Sequence, residues 1–245
     1  MNDITFDVRA YPIDEPQKNT LAFASVAFKV DGKDLAAIRG IRVVDSEEKG
    51  PFVSMPQSKD KDGEYHDIAF PLTKELRDEL SAAVLDETYR QAGLDSTERG
   101  YAKPEKGESL GIQIKDVNLD VRVFPLDKSR NNTLAFASVA FNVDGEDVMA
   151  IRGLRIVDSE EKGLFVSMPQ SKDKDNKFHD VAFPLTKELR KEISKSVLAE
   201  YGTPVAEKKK GIGERLAAGK EKSAQYVASA PARSASKSQQ TALGA

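Results

Sequence analysis

Two histidines are the side chains with the widest chemical options in this sequence. His66 and His179 are its only histidines, and each is followed directly by an aspartate. A single His-Asp pair falls short of the three or four ligands that a zinc site needs, and no serine on a nucleophile elbow accompanies it. We therefore interpret both histidines as surface or strand-edge residues rather than as catalytic or metal-binding groups.

Other reactive arrangements are missing as well. Residues 60–63 read Asp-Lys-Asp-Gly, which superficially resembles the start of a calcium loop but lacks its glycine at the sixth position and its terminal bidentate glutamate. The chain contains no cysteine, which excludes disulfides, thiolate nucleophiles and thiolate metal sites. Glycine-rich phosphate loops and paired carboxylates in apolar surroundings are also absent from the sequence. These observations predict a non-enzymatic protein without cofactor or metal.

The charges are balanced overall but distributed unevenly. The chain has 37 Lys and Arg residues against 40 Asp and Glu, a formal net charge of -3, which is unlike a protein coated in basic charge. The formal charge is -6 over residues 1–90, -1 over 91–114, -1 over 115–204 and +5 over 205–245. The basic tail predicts a few salt-dependent, nonspecific phosphate contacts, and a purely solubilising tail is the alternative.

The elements that must position these charges occur twice. The segment from Asn19 to Phe28 returns as Asn132 to Phe141, a shift of 113 positions that also relates His66 to His179. The repeated unit has the length of a domain, so the chain is a tandem duplication. We place copy 1 at residues 1–90, a linker at 91–113, copy 2 at 114–203 and a disordered basic Ala/Ser/Lys tail at 204–245.

Within one copy the pattern changes from strands to a helix. Alternating apolar residues from Ile4 predict a first strand, and Asp31-Gly32 between two apolar runs predicts a hairpin. Phe52-Val53-Ser54-Met55 predicts a short strand, and the polar residues 57–64 predict an exposed loop. The fold class is therefore α+β, with a small antiparallel β-sheet and a C-terminal helix, duplicated in tandem.

The C-terminal helix has a defined start and one apolar face. Thr73 is the predicted N-cap, and Glu75 in the first turn suits the helix dipole. The predicted apolar face consists of Leu72, Leu76, Leu80 and Val84 in copy 1, and of Leu185, Leu189, Ile193 and Val197 in copy 2.

A copy of about 85 residues with one helix on one sheet face is marginal as an independent domain. We expect the two copies to pack together as an intramolecular pseudo-dimer, through an edge strand or the uncovered sheet face. A further homo-oligomer stays open. No apolar run is long enough to span a bilayer, and the acidic, alternating N-terminus is unlike a signal peptide, so we expect no membrane insertion and a cytoplasmic location.

Several ordered motifs carry a resemblance to a known family. They are Ile38-Arg39-Gly40-Ile41-Arg42-Val43-Val44-Asp45, Gly50-Pro51-Phe52-Val53-Ser54-Met55-Pro56, Asp62 to Pro71, and Val84-Leu85-Asp86-Glu87, with counterparts in copy 2 such as Gly163-Leu164-Phe165-Val166-Ser167-Met168-Pro169. In this order they resemble the bacterial SpoVG family of septation and sporulation regulators, over residues 4–90 and 114–201. The resemblance implies a small antiparallel sheet with a C-terminal helix, dimerisation, and site-specific binding of DNA or RNA.

The resemblance also implies where nucleic acid is contacted, namely the loop after Met-Pro and the start of the C-terminal helix. The matching loop residues are Ser58, Lys59, Lys61, Ser171, Lys172 and Lys174. The matching helix-start residues are Lys74, Arg77, Lys187, Arg190, Lys191 and Lys195. Copy 2 is the better candidate surface, because its helix start has four basic residues and two acids.

The sequence departs from the family pattern at three places, one of which is that His66 and His179 stand where Arg or Lys is common in the family. Aspartates interleave the loop lysines, and Phe70 and Phe183 stand where the family has a histidine before proline, so the positive field is weakened. Arg39 and Arg42, three residues apart on a strand, are expected to point to opposite faces and to pair with carboxylates or, less often, phosphates. The alternative function is a protein-protein interaction module in cell division or a mobile element.

Overall fold

The computed structural model of the chain describes residues 3–17, 19–48, 50–60, 62–93, 117–161, 163–173 and 175–202. The strands of copy 1 are β1 (Ile4–Gln17), β2 (Thr20–Val30), β3 (Lys33–Val44), β4 (Phe52–Ser54), β5 (Gln57–Lys59), β6 (Tyr65–Asp67) and β7 (Ala69–Pro71), followed by helix α1 (Lys74–Gln91). The strands of copy 2 are β8 (Val117–Arg130), β9 (Thr133–Val143), β10 (Glu146–Ser159), β11 (Gly163–Ser167), β12 (Gln170–Lys172), β13 (Phe178–Asp180) and β14 (Ala182–Pro184), followed by helix α2 over 187–202.

The predicted α+β architecture is confirmed, because each copy folds as an antiparallel sheet with one C-terminal helix. The predicted tail and nearly all of the predicted linker lie outside the described residues. No helix within the described ranges is long and apolar enough to cross a membrane.

The Asp-Gly turn fixes the register of the first hairpin. Asp31 and Gly32 both adopt positive φ, at 48° and 73°, which is the backbone of the two-residue turn that suits twisted strands. Asp144 and Gly145 repeat this turn between β9 and β10. From this register β2 alternates strictly, so that residues such as Val26 and Phe28 are buried in the core.

Each helix covers the core side of a sheet. The Thr73 hydroxyl accepts a hydrogen bond from the Leu76 backbone N–H at 3.2 Å and caps α1, as predicted. Leu80 and Val84 of α1 are fully buried in one apolar cluster that includes residues of both copies. Leu185, which the pattern placed on the buried face of the second helix, lies before α2 and is exposed.

One predicted loop is a hairpin. Residues 57–64 were expected to be an exposed loop, but β5 pairs with β6 in register Gln57↔Asp67 to Lys59↔Tyr65. In copy 2 β12 and β13 pair in the same way. The prediction was wrong for residues 57–59, which form β5, whereas the described residues 60 and 62–64 lie between the two strands as predicted. Both faces of this small ladder are in water, so no alternation of apolar residues marks it in the sequence.

The two copies exchange their last strands. Strand β14 of copy 2 joins the first sheet beside β3, in register Ala182↔Ile38 to Pro184↔Ala36. Strand β7 of copy 1 joins the second sheet beside β10, in register Ala69↔Ile151 to Pro71↔Met149. The edges of β3 and β10 are therefore each completed by the other copy, which removes two open sheet edges.

The exchanging chain crosses between the copies at Ile68. The Ile68 N–H donates to the Pro56 carbonyl of its own copy at 2.7 Å, and its carbonyl accepts from the Arg152 N–H of the other copy at 2.7 Å. Val181 makes the equivalent bonds, to Pro169 at 2.8 Å and from Arg39 at 2.7 Å. The Met-Pro motif thus anchors the point at which each strand leaves its copy.

A β-bulge beside this crossing point decides where two arginines point. Gly40 adopts φ +74° and has no partner in the register, which passes from Ser25↔Arg39 to Ala24↔Ile41 and Phe23↔Arg42. One extra residue reverses the alternation, so Arg39 and Arg42 lie on the same face, and the expectation of opposite faces was wrong. We call this side of each sheet, which faces away from the core, the open face. In the first sheet it carries Arg9, Tyr11, Phe23, Ser25, Arg39 and Arg42.

The bulge glycine gives a prediction about stability. We expect Gly40→Val to lower the free energy of unfolding by about 1–3 kcal/mol, because a β-branched residue is strained at positive φ. Gly40→Asn should cost less, since asparagine tolerates the left-handed region. An added Cβ meets nothing closer than the Pro56 Cβ at 4.0 Å, so the difference measures backbone strain. Urea denaturation of both variants tests this, and equal losses would contradict it.

Candidate nucleic-acid interface

The predicted loop lysines lie at the ends of the two small hairpins. Lys59 Nζ lies 5.6 Å from the centre of the Tyr65 ring, and Lys172 Nζ lies 5.0 Å from the centre of the Phe178 ring. All four side chains are exposed. Each hairpin therefore presents a lysine ammonium group within cation–π distance of an aromatic ring. Lys61 and Lys174 lie outside the described residues.

An aspartate organises each hairpin turn. Asp60 Oδ1 accepts from the backbone N–H groups of Asp62 and Glu64 at 2.9 and 2.8 Å, and its Oδ2 is hydrogen-bonded to His66 Nε2 at 2.7 Å. The hydrogen bond from His66, followed by that from the Glu64 backbone, holds the pKa of Asp60 below its usual value. Asp173 and His179 repeat the arrangement at 2.6 Å. The acids that interrupt the lysines thus build the turns that present them.

Three potential metal ligands converge in the first hairpin. Ligand atoms of Asp60, Glu64 and His66 lie within 4.8 Å of one another, and all three residues are exposed. In copy 2 the position equivalent to Glu64 is Lys177, so the trio is not repeated there. The His66–Asp60 hydrogen bond and the turn account for this geometry, and we assign no metal to it.

The start of α2 gathers the predicted cations of copy 2. Lys187, Arg190 and Lys191 line a shallow, open surface depression with Ser194. Arg190 Nη2 lies 3.0 Å from Asp180 Oδ2. Among the described residues, Lys187 and Lys191 form no ion pair. Two lysines free to meet an anion therefore flank an arginine that is already positioned.

The last predicted cation of this helix is already engaged. Lys195 Nζ lies 3.6 Å from Glu192 Oε1, three residues earlier on α2. Because Lys195 is well exposed in this pair, the interaction is weak and open to competition. Lys195 is thus a secondary member of the α2 cluster.

The start of α1 is closer to neutral than that of α2. Lys74 Nζ lies 2.7 Å from Asp78 Oδ2, and hydrogen bonding to that carboxylate raises the pKa of Lys74. Arg77 Nη2 lies 3.3 Å from Asp67 Oδ2. The position equivalent to Asp78 in copy 2 is Lys191. The two helix starts therefore have the same fold but different charges, and the start of α2 in copy 2 is the more positive.

A second set of cations lies on the open faces, and their aromatic partners were not predicted from the sequence. The Arg39 guanidinium lies 4.6 Å from the centre of the Phe183 ring, and Arg152 lies 4.6 Å from that of Phe70. Each pair joins one copy to the exchanged strand of the other, so the phenylalanines that replace the family histidine have a contact partner. The expectation that Arg39 pairs with a carboxylate missed this partner, because strand exchange is not visible in a single copy's sequence.

The chain matches the sequence model of the SpoVG family over residues 3–91 and 117–203, once for each copy. Three proteins named "Putative septation protein SpoVG" are similar to it. The protein of Symbiobacterium thermophilum is 48% identical over 67 residues, 27% of this chain and 44% of that protein. That of Archaeoglobus fulgidus is 42% identical over 82 residues, 34% and 89% of the two chains. That of Bdellovibrio bacteriovorus is 32% identical over 97 residues, 40% and 80%.

The matched lengths bear on the duplication. A match of 82 residues takes up 89% of the Archaeoglobus fulgidus protein, so that relative has the length of a single copy. The chain spans less than half of the Symbiobacterium thermophilum protein. The present chain therefore carries, twice in one polypeptide, the unit that at least one relative carries once.

Proposed function

Because the chain belongs to the SpoVG family, we propose that it is a non-enzymatic regulatory protein of septation that binds DNA or RNA in the cytoplasm. The observation that carries this proposal is the cluster of Lys187, Arg190 and Lys191 at the start of α2. Two of its three cations have no carboxylate partner among the described residues, and all three line one depression. Phosphate groups are the ligands that such an exposed cluster attracts most strongly.

The lysines of the small hairpins and the strand exchange fit the same proposal. Lys59 and Lys172 are exposed beside aromatic rings, so each hairpin offers both a phosphate contact and a ring. The exchanged strands support an intramolecular pseudo-dimer, and a protein with two equivalent copies can contact two positions along a nucleic acid. Copy 2 would supply most of the affinity, because its helix start is the more positive.

This proposal predicts a loss of affinity and of salt dependence together. We expect the Lys187→Ala/Arg190→Ala/Lys191→Ala variant to bind nucleic acid at least about tenfold more weakly at low salt, since up to three phosphate contacts are removed. The slope of log K against log salt should fall by about 2 to 3 for duplex DNA. Fluorescence anisotropy with labelled DNA and RNA at several salt concentrations measures both quantities.

Two further variants control this experiment. Lys187→Ala/Lys191→Ala leaves the Arg190–Asp180 pair intact and should retain most of the effect. Lys74→Ala/Arg77→Ala changes the equivalent positions of copy 1, where both cations are already paired, and should have a smaller effect. Equal losses in the two copies would move the site away from α2. No binding by the full chain at low salt would remove the proposal and favour the protein-interaction module.

A further inference from the structure

The open face of the first sheet has an unusual composition for a surface in contact with water. The strand register aligns its side chains in two rows across β1, β2 and β3. One row is Arg9, Ser25 and Arg39, and the neighbouring row is Tyr11, Phe23 and Arg42. Solvated faces of antiparallel sheets ordinarily carry polar residues at these positions.

The second sheet repeats the arrangement. Its rows across β8, β9 and β10 are Arg122, Ser138 and Arg152, then Phe124, Phe136 and Arg155. The bulge at Gly153 places Arg152 and Arg155 on one face, as the bulge at Gly40 does for Arg39 and Arg42. Each copy therefore has a directly opposed pair of aromatic rings, bordered by arginines.

These rings are not part of the core. Tyr11 and Phe23 are 59% and 47% exposed, and Phe124 and Phe136 are 57% and 42% exposed. Large apolar side chains that are grouped on an exposed surface mark an interaction site more often than isolated ones do. The pairs are therefore candidates for contact with a partner that has flat apolar faces.

The charges of the open faces restrict the chemistry of that partner. Each face carries three arginines, and the aspartates beside them are Asp7 and Asp34 in the first sheet and Asp120 and Asp147 in the second. Asp120 pairs with Arg122 at 3.3 Å. On the first open face Lys29 pairs with Asp34 at 3.8 Å, which adds no net charge. Both faces are thus positive, although acidic turns follow Val44 and Val157 and bound them on one side.

Two of the arginines are held above the sheet by polar neighbours. Arg42 Nη2 lies 3.4 Å from Ser54 Oγ, and Arg155 Nη2 lies 3.2 Å from Ser167 Oγ. A serine hydroxyl orients a guanidinium without neutralising it, so these arginines remain available to an anion. A partner with flat apolar faces and regularly spaced anions fits the surface better than a neutral protein face does.

We propose that each open face is a stacking platform for single-stranded nucleic acid, an inference that rests on the proposed function. The opposed rings, Tyr11 with Phe23 and Phe124 with Phe136, stack on unpaired bases, and the arginines contact the adjacent phosphates. Bases of a single strand can be splayed onto aromatic rings, whereas those of a duplex are already stacked and present only their edges. The platform therefore selects single strands, and the α2 cluster supplies contacts that either form can use.

The first test removes the rings. Full-length protein with Tyr11, Phe23, Phe124 and Phe136 all changed to Ala should bind a labelled oligothymidylate of roughly 12 nucleotides about 100-fold more weakly than the wild type, since every base offers a ring face to an aromatic side chain. Duplex DNA of the same length should be bound nearly as well as by the wild type. The same four positions changed to Leu should not restore single-strand binding, because leucine preserves apolar contact without stacking.

A second measurement does not depend on the stability of the fourfold variant. The chain contains no tryptophan, so Phe136→Trp places the only indole on the platform, where a stacked base should quench its emission. Leu164→Trp is the matched control. The exposed fraction of Leu164, 46%, is similar to that of Phe136, 42%. Leu164 nevertheless lies on the opposite face of the sheet, because it pairs with Asp158, three residues after Arg155 on the same strand. Its emission should not respond to the oligonucleotide.

The outcomes separate this inference from the function on which it rests. Duplex binding by the wild type without single-strand binding overturns the platform and leaves the proposed function standing. Unchanged single-strand affinity in the alanine variant, or full rescue by leucine, also overturns it. If the alanine variant changes only the oligomeric state, the face is an interface between copies of the chain and the inference is wrong. No binding of any nucleic acid removes both proposals.

Discussion

Replacing Phe28 with Ala should lower the free energy of unfolding by about 3–5 kcal/mol, one of the two largest effects that we expect from a small change to this protein. Phe28 is fully buried, and its ring meets Phe6 edge to face with the centroids 5.2 Å apart. Its removal loses the transfer free energy of a large side chain and leaves a cavity that the surrounding strands cannot close.

The matched control lies on the same strand. Phe23 is five residues away on β2, so it projects from the open face instead of into the core. Phe23→Ala should therefore change stability by less than about 1 kcal/mol, as is usual for surface substitutions. Urea denaturation followed by circular dichroism compares the two variants. Similar losses for Phe23 and Phe28 would mean that the open face is packed against something in solution.

The same experiment probes the connection between copies. Phe141 is the counterpart of Phe28 in copy 2, and the buried residues of both copies form one apolar cluster. Phe28→Ala and Phe141→Ala should each shift a single unfolding transition that includes both copies. Two separate transitions, with only one of them moved by each substitution, would contradict a shared core.

Local chemistry explains which parts of the fold could be predicted from the sequence. The Asp31-Gly32 hairpin and the Thr73 cap depend on neighbouring residues and are confirmed. The 113-residue shift is enough to identify two copies, and the family model matches each copy once. Features with a local residue signature, such as an Asp-Gly turn or an N-cap, are therefore recoverable from sequence in this chain, whereas the short β5–β6 hairpin, which has no such signature, was not predicted.

Strand exchange could not be predicted because the two copies present equivalent edges. Ala69-Phe70-Pro71 can pair with the edge at Ala36–Ile38 of its own copy or with that at Met149–Ile151 of the other, and the sequence offers both. The choice depends on the direction that the chain takes at Ile68, directly before β7. There the Ile68 N–H bonds to Pro56 of its own copy and the Ile68 carbonyl bonds to Arg152 of the other copy. Such geometry is a property of the folded backbone and has no local signature.

Part of the candidate site could likewise be predicted from the sequence and part could not. Lys187, Arg190 and Lys191 are recognisable in the sequence, and the structure brings them together because they occupy adjacent turns of α2. The exposed aromatic rings of the open faces were not predicted, since the alternation that reveals a strand does not tell which side faces water when both sides carry large residues. The only sequence signal for the exposure of Tyr11 and Phe124 was their position in the strand pattern, directly before Pro12 and Pro125.

The strand exchange leads to the last prediction, which concerns the connection between copies. A protease site introduced at residues 100–105 and cut under native conditions should leave the two fragments in one complex. Each fragment supplies the other with a strand in which Ala69 or Ala182 is fully buried. Separation would expose two sheet edges and part of the shared core, so it should require denaturant. Size-exclusion chromatography with light scattering measures the mass of the cut protein.

Produced alone, the fragment of residues 1–113 should not be a folded monomer. Its β3 edge at Ala36–Ile38 lacks β14, and its own β7 has no β10 to join. Because β7 has the same sequence as β14, Ala-Phe-Pro, two such fragments can complete each other by the same exchange. We therefore expect a dimer in light scattering, with strand content by circular dichroism close to that of the intact chain. A stable monomer with that spectrum would show that β7 can fold back onto its own copy, and the exchange would then not be required by the fold.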